Sequence, residues 1–138
     1  MSPTVPLLLT AGLGVVALAA SEDPDGANDA PGVRGLPAKD AAALLDDPEV
    51  VVLDIRTPPE VAQARLRDEQ VHIDMHQPDF AEQVGRLDRD ARYVMYCRSG
   101  NRSGKARALF EQLGFQDVVD VSDGIIGWVD AGLPIQQG

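Results

Sequence analysis

The chain predicts an α/β fold, a parallel sheet with helices on both faces. Strand-like and helix-like segments alternate from Leu36 onward, the pattern of a sheet built from short crossover units. Val50-Val51-Val52-Leu53-Asp54-Ile55 is a β-branched run bounded by turn residues, as expected of a strand buried on both faces. Between such runs lie segments with apolar residues at helical spacing, for example Ala106, Leu109, Phe110 and Leu113.

Taken in order, Pro37 to Leu45 has helical spacing, with Ala41, Leu44 and Leu45 on one face and Pro48 beyond its end. The Val50 to Ile55 strand follows, then a short helix from Pro58 to Leu66 with Thr57 as cap and prolines in the first turn. Val71-His72-Ile73 is a short strand. Pro78 to Leu87 is amphipathic through Phe80, Val84 and Leu87. Arg92 to Cys97 is a strand that ends on the cysteine, and Ser103 to Leu113 a helix stopped by Gly114. Val118 to Val121 forms the last strand and Ile125 to Ala131 the last helix, ended by Gly132 and Pro134.

A length of 138 residues with 44% apolar and 25% charged content fits one ordinary domain. The formal charge of -10 disfavours nucleic acid and anionic membrane surfaces, which the field of the protein repels. One place carries the opposite sign: Arg98, Arg102, Lys105 and Arg107 fall close together with no acid between them. Cys97 is the single cysteine, so an intramolecular disulfide is excluded and few routes to structural zinc remain.

Residues 1–20 read as a secretory signal peptide. Val5 to Ala20 is uncharged, shorter than a comfortable membrane span, and ends in small residues that include the Ala17-Leu18-Ala19 match to a cleavage site. Met1 to Thr4 lacks the positive charge that usually opens such a signal, and an uncleaved anchor is the alternative. Both readings place the domain outside the cytoplasm, in a periplasmic or extracellular setting, with no stable membrane span after cleavage. Residues 21–35, rich in Asp, Gly, Pro and Ala, read as a flexible spacer, and residues 36–138 as the domain.

In parallel sheets ligands bind at the carboxyl ends of strands, where loops lead into helices. Cys97 occupies such a position, followed by a short loop with Gly100 at the tight turn and a helix beginning near Ser103. That loop can aim several backbone N–H groups inward, and the helix N-terminus adds partial positive charge, so an anionic sulfur is stabilised there. The reactive form of cysteine is the thiolate, favoured by a helix N-terminus and by nearby arginine. The alternative is a buried packing cysteine at a strand end.

Cys97-Arg98-Ser99-Gly100-Asn101-Arg102-Ser103 resembles the active-site loop of single-domain rhodaneses, sulfurtransferases that take sulfane sulfur from donors such as thiosulfate. Val52 to Glu60, with Asp54-Ile55-Arg56, is similar to the family's first signature. Asp123-Gly124-Ile125-Ile126-Gly127-Trp128 with Gly132-Leu133-Pro134 is similar to its closing pattern. One stretch departs: where the family shows Gly-His-Ile, this chain has Ala64 to Glu69 before Val71-His72-Ile73-Asp74.

The resemblance implies a three-layer rhodanese-like fold and a Cys97 nucleophile that carries sulfur as a persulfide. It implies that the backbone amides of Arg98, Ser99, Gly100, Asn101, Arg102 and Ser103 cradle the sulfur, and that the side chains of Arg98 and Arg102 attract an anionic donor. Asp54 and Arg56 are implied as bracing residues. The implied cycle is ping-pong, from thiosulfate or a persulfide to a thiol, cyanide or a thioredoxin-like protein, with no cofactor or metal.

Two neighbouring readings differ at named residues. Phosphatases with a related loop place arginine six positions after cysteine, where this chain has Ser103; Arg102 is at the fifth. A rhodanese-like module that binds a partner or senses oxidants without turnover is the other reading, against which the cysteine in a basic loop weighs. His72 and His76 read as structural or solvent-facing, Trp128 as a core or lid-edge anchor, and the Asn101-Arg102-Ser103 glycosylation pattern as blocked by its tight loop.

Overall fold

Five strands pair side by side in the computed structural model, which describes residues 31–138. They are β1 (Gly32–Leu36), β2 (Val51–Asp54), β4 (Val71–His72), β5 (Arg92–Tyr96) and β6 (Asp117–Val121), in the spatial order β1-β6-β5-β2-β4, all parallel. The helices between them are α1 (Ala38–Ala41), which continues as a 3-10 turn over Ala42–Asp46, α2 (Pro58–Gln63), α3 (Phe80–Gly85), α4 (Asn101–Gln112) and α5 (Gly124–Asp130). A separate antiparallel pair joins β3 (Ala64–Arg65) to β7 (Gln136–Gln137).

Strand side chains alternate between faces, so each central strand feeds two cores. Val52, Val94, Tyr96, Val119 and Val121 pack with Ala38 and Ala41 of α1 and Ile125 and Trp128 of α5. Leu53, Tyr93, Met95, Cys97 and Val118 face the other way, toward Phe80 and Val84 of α3 and Ala106 and Phe110 of α4. Helices therefore cover both faces, as the alternating sequence predicts. Each fully buried aliphatic or aromatic side chain here contributes roughly 1.5–3 kcal/mol of transfer free energy. Trp128 is a core anchor: it is buried and its indole N–H donates to the Pro134 carbonyl at 2.8 Å.

Residues 1–20 of the expected signal segment, and 21–30 of the expected spacer, lie outside the described residues. Among the described residues no helix is long and apolar enough to cross a membrane. The remainder of the expected spacer is corrected: Gly32–Leu36 form the edge strand β1, in register with Asp117–Val121. Arg34 fixes that edge by an ion pair to Asp117 at 2.8 Å, which local composition does not announce.

The helix expected over Pro58 to Leu66 also ends early, at Gln63. The Arg56 guanidinium takes the Ala64 carbonyl at 2.6 Å and the Leu66 N–H donates to the Tyr96 hydroxyl at 3.2 Å, so both backbone groups leave the helical ladder. Conversely, α4 begins two residues before the expected Ser103, at Asn101.

Candidate active site

Cys97 follows directly on β5, and its side chain is fully buried at 0% residue exposure. The packing alternative thus holds for its burial, but the sulfur also has polar partners. The Gly100 N–H donates to Sγ at 3.1 Å and the Ser103 N–H at 3.4 Å, while the Ser103 hydroxyl lies 3.4 Å from Sγ. Of the loop amides expected around the sulfur, these two reach Sγ with hydrogen-bond geometry among the described residues; Arg98, Ser99 and Asn101 are exposed. Because α4 starts at Asn101, the Ser103 amide is one of the first-turn donors that lack an intrahelical partner.

Two glycines set the loop's shape. Gly100 has φ +96°, and a Cβ there would lie 2.0 Å from the Ser122 carbonyl oxygen. Gly124 has φ +65°, and a Cβ there would lie 2.2 Å from the Arg98 carbonyl oxygen. That close approach lets the first amides of α5 fasten the loop from behind: Ile125 N–H donates to the Cys97 carbonyl at 3.0 Å and Ile126 N–H to the Arg98 carbonyl at 3.1 Å.

The four cations near the cysteine divide into two kinds. Arg102 is held by Glu60 through two hydrogen bonds of 2.8 Å, and Arg107 Nε donates to Asp120 at 2.8 Å. Arg98 and Lys105 are exposed, without an ion pair among the described residues. The hydrogen bonds from Arg102, opposed by burial and helped by Thr57, lower the Glu60 carboxyl to about 2. Glu60 also accepts from the Thr57 N–H at 3.1 Å, so one carboxylate caps α2 and holds α4.

Asp54 and Arg56 sit below the loop, on the opposite face of the sheet from the sulfur. Arg56 Nε and Nη2 donate to the two oxygens of Asp54 at 2.9 and 2.8 Å, and the guanidinium lies 5.0 Å from the Tyr96 ring centroid. Burial presses the Asp54 carboxyl upward, but hydrogen bonds from Arg56 and Tyr96 and the Arg56 charge outweigh it and hold it below its ordinary value. The Tyr96 hydroxyl lies 2.7 Å from Asp54 Oδ2 and 2.8 Å from Gln70 Oε1; with one proton it donates to one of them at a time. Burial and then the Asp54 charge push the Tyr96 phenol above its ordinary value. Tyr96 immediately precedes Cys97, so this network fixes the strand end that presents the sulfur.

Beside the loop opens a cleft of about 370 Å³, walled by Arg98, Arg56 and Glu60 on one side and by Ile125, Ile126 and Val129 of α5 on another. His72 and His76 do not converge: His72 Nε2 meets the Arg56 carbonyl at 2.6 Å and His76 Nδ1 lies 3.3 Å from Asp74.

Sequence reasoning missed three polar residues. Glu60 was visible as a carboxylate in a first helical turn, Gln70 lay in the divergent stretch and had no signal, and Asp120 stood out only as a charge inside an apolar strand. Asp120 is fully buried. Burial raises its carboxyl above the ordinary value, with the Ser103 hydroxyl and Arg107 opposing the shift.

Comparison with known proteins agrees with this fold. A sulfurtransferase of Allochromatium vinosum is 39% identical over 92 residues, covering 67% of this chain and 83% of that protein. A tRNA uridine(34) hydroxylase of Sinorhizobium fredii is 33% identical over 95 residues, 67% of this chain, which spans only 30% of that enzyme. The crystal structure of a rhodanese-related protein from Thermoplasma volcanium superposes with a TM-score of 0.65 at 31% identity, covering 75% of this chain and 97% of that one. Residues 37–131, which hold the five-strand sheet apart from β1 together with the sulfur loop, match the rhodanese-like domain, and the chain belongs to that family.

Proposed function

We propose that the chain is a sulfurtransferase in which Cys97 carries sulfane sulfur as a persulfide, with thiosulfate or an organic persulfide as donor. The observation that carries this reading is the pair of backbone N–H groups, from Gly100 and Ser103, directed at a buried Sγ. Such donors favour sulfur as an anion, the form needed both for attack and for holding a terminal persulfide. The kinship with named sulfurtransferases supports the same class.

The thiolate attacks the outer sulfur of the donor; with thiosulfate the S–S bond breaks and sulfite leaves with the electron pair. A thiophilic acceptor then attacks the terminal sulfur and Cys97 is released as thiolate. Arg98, exposed at the mouth of the cleft, draws in the anionic donor, and Arg102 contributes less because Glu60 balances it. The cleft beside the loop has room for a thiol or cyanide, or for the reactive end of a thioredoxin-like protein. We place this activity outside the cytoplasm, on the reading of residues 1–20 as an export signal.

Mass spectrometry after incubation with thiosulfate tests the reading. One added sulfur on Cys97, removed by cyanide and absent from Cys97→Ser, is expected, and Arg98→Ala should need more thiosulfate to load with stability changed by no more than about 0.5 kcal/mol. Absence of any adduct would favour a binding or redox-sensing module instead.

A further inference from the structure

We propose that Ser103 and Asp120 form a proton-accepting pair behind Cys97, Ser103 passing the thiol proton to Asp120 to give the thiolate that attacks the donor. The inference rests on the sulfurtransferase reading for its reaction, but its geometry stands apart from it. Asp120 is fully buried on β6, on the same sheet face as Cys97, and its Oδ1 has no aligned hydrogen-bond donor among the described residues. The Ser103 hydroxyl lies 3.4 Å from Sγ and also interacts with the Asp120 carboxylate, so a single rotatable O–H touches both the thiol and the acid.

The surroundings suit a proton store. Across β1 the residue level with Asp120 is Gly35, and across β5 it is Met95, so neither neighbouring strand presents a charge. From α4 the one facing charge is Arg107, whose Nε holds Oδ2 at 2.8 Å and leaves Oδ1 open. Arg102 is the cation whose charge reaches Cys97, with Glu60 as its own partner, and Arg98 stands exposed at the loop. A buried carboxylate raised above its ordinary value takes a proton more readily than a surface one.

The balance closes over a full cycle. On loading, the Sγ–H bond breaks as the Ser103 oxygen gains that proton and gives its own to the Asp120 carboxylate; the thiolate so formed attacks, the Sγ–S bond forms, the S–S bond of thiosulfate breaks and sulfite departs. Cys97 thiol, Asp120 carboxylate and thiosulfate become Cys97 persulfide anion, Asp120 acid and sulfite, with total charge conserved. When an acceptor thiolate removes the terminal sulfur, Asp120 returns the proton through Ser103 to Cys97. Ser103 and Asp120 are thus positioning residues that act through the cysteine.

The test is single-turnover loading of Cys97 by thiosulfate at about pH 6 and about pH 9, either side of the ordinary thiol range. Alkylation by iodoacetamide over the same range runs in parallel. Wild type should change little across this span. Asp120→Asn should lose roughly tenfold or more at the acid end and converge with wild type at the alkaline end, the size expected of a lost general base. Ser103→Ala should repeat that profile and Ser103→Thr should restore it. Should Asp120→Asn fail to fold, the serine pair decides. Parallel profiles for wild type and Ser103→Ala or Asp120→Asn overturn the inference. Wild type that is alkylated but never loaded overturns the sulfurtransferase reading instead, and the alkylation profiles still judge the proton pair.

Discussion

Arg102 and Glu60 face each other across the mouth of the site with two hydrogen bonds of 2.8 Å, so the arginine that follows the cysteine loop is already answered by a carboxylate. Removing that answer should have two effects of opposite sign. Glu60→Gln leaves Arg102 unbalanced, and thiosulfate loading should speed up a few-fold at low salt, with the gain fading as salt screens it. The same change should cost about 1 kcal/mol of stability at neutral pH, the upper end for a partly exposed pair. Because the Glu60 carboxyl falls from 4.5 to about 2 on folding, its contribution is complete above pH 4.5 and lost as pH falls toward 2. Urea denaturation of the two proteins at a series of pH values should show their difference shrinking through that window.

The buried network under the loop predicts a graded loss. Arg56→Met leaves the Asp54 carboxylate buried without its cation, and about 3–5 kcal/mol should be lost. Tyr96→Phe removes one hydroxyl that Asp54, Gln70 and Leu66 share, and about 1–3 kcal/mol should be lost. Equal losses in urea denaturation would mean that the hydroxyl and not the ion pair holds the strand end.

Gly124→Ala tests how the loop is fastened. The left-handed conformation alone costs roughly 1–2 kcal/mol for a residue with a Cβ. The added carbon must also displace the Arg98 carbonyl, and with it the bonds from Ile125 and Ile126. Urea denaturation should give a loss above 1 kcal/mol, accompanied by slower sulfur loading, while Gly114→Ala, which carries the same kind of backbone angle but has open space around it, should lose stability without slowing the loading.

The strands and helices that hold the cysteine were legible because their signals are local. A continuous apolar run marks β2, and a strand, a cysteine and a glycine turn mark the end of β5. What was illegible depends on distant partners. β1 reads Gly-Val-Arg-Gly-Leu, with two glycines that suit a spacer, and becomes a strand only because β6 offers it a ladder and Asp117 holds Arg34. The short β3 exists because Arg56 and Tyr96 draw its backbone out of the helix and β7 closes over it. Within the site, the loop residues were identifiable by motif, but the pairing of Arg102 with Glu60 spans 42 positions and no spacing rule reaches that far.

The alternation of side chains along β5 has a further consequence. Tyr96, with Asp54 and Arg56, lies on one side of the sheet; Cys97, with Ser103 and Asp120, lies on the other. The sheet is a partition one backbone thick, and the peptide bond between Tyr96 and Cys97 joins its two sides at the site. Substitutions at Asp54 or Tyr96, which do not line the cleft, can therefore alter tolerance to heat or acid without reshaping the pocket around the sulfur, whereas Arg56 serves both sides because it also walls the cleft. The Arg98 side of the cleft, in turn, can drift toward a different donor without the Asp54 and Tyr96 foundation being rebuilt.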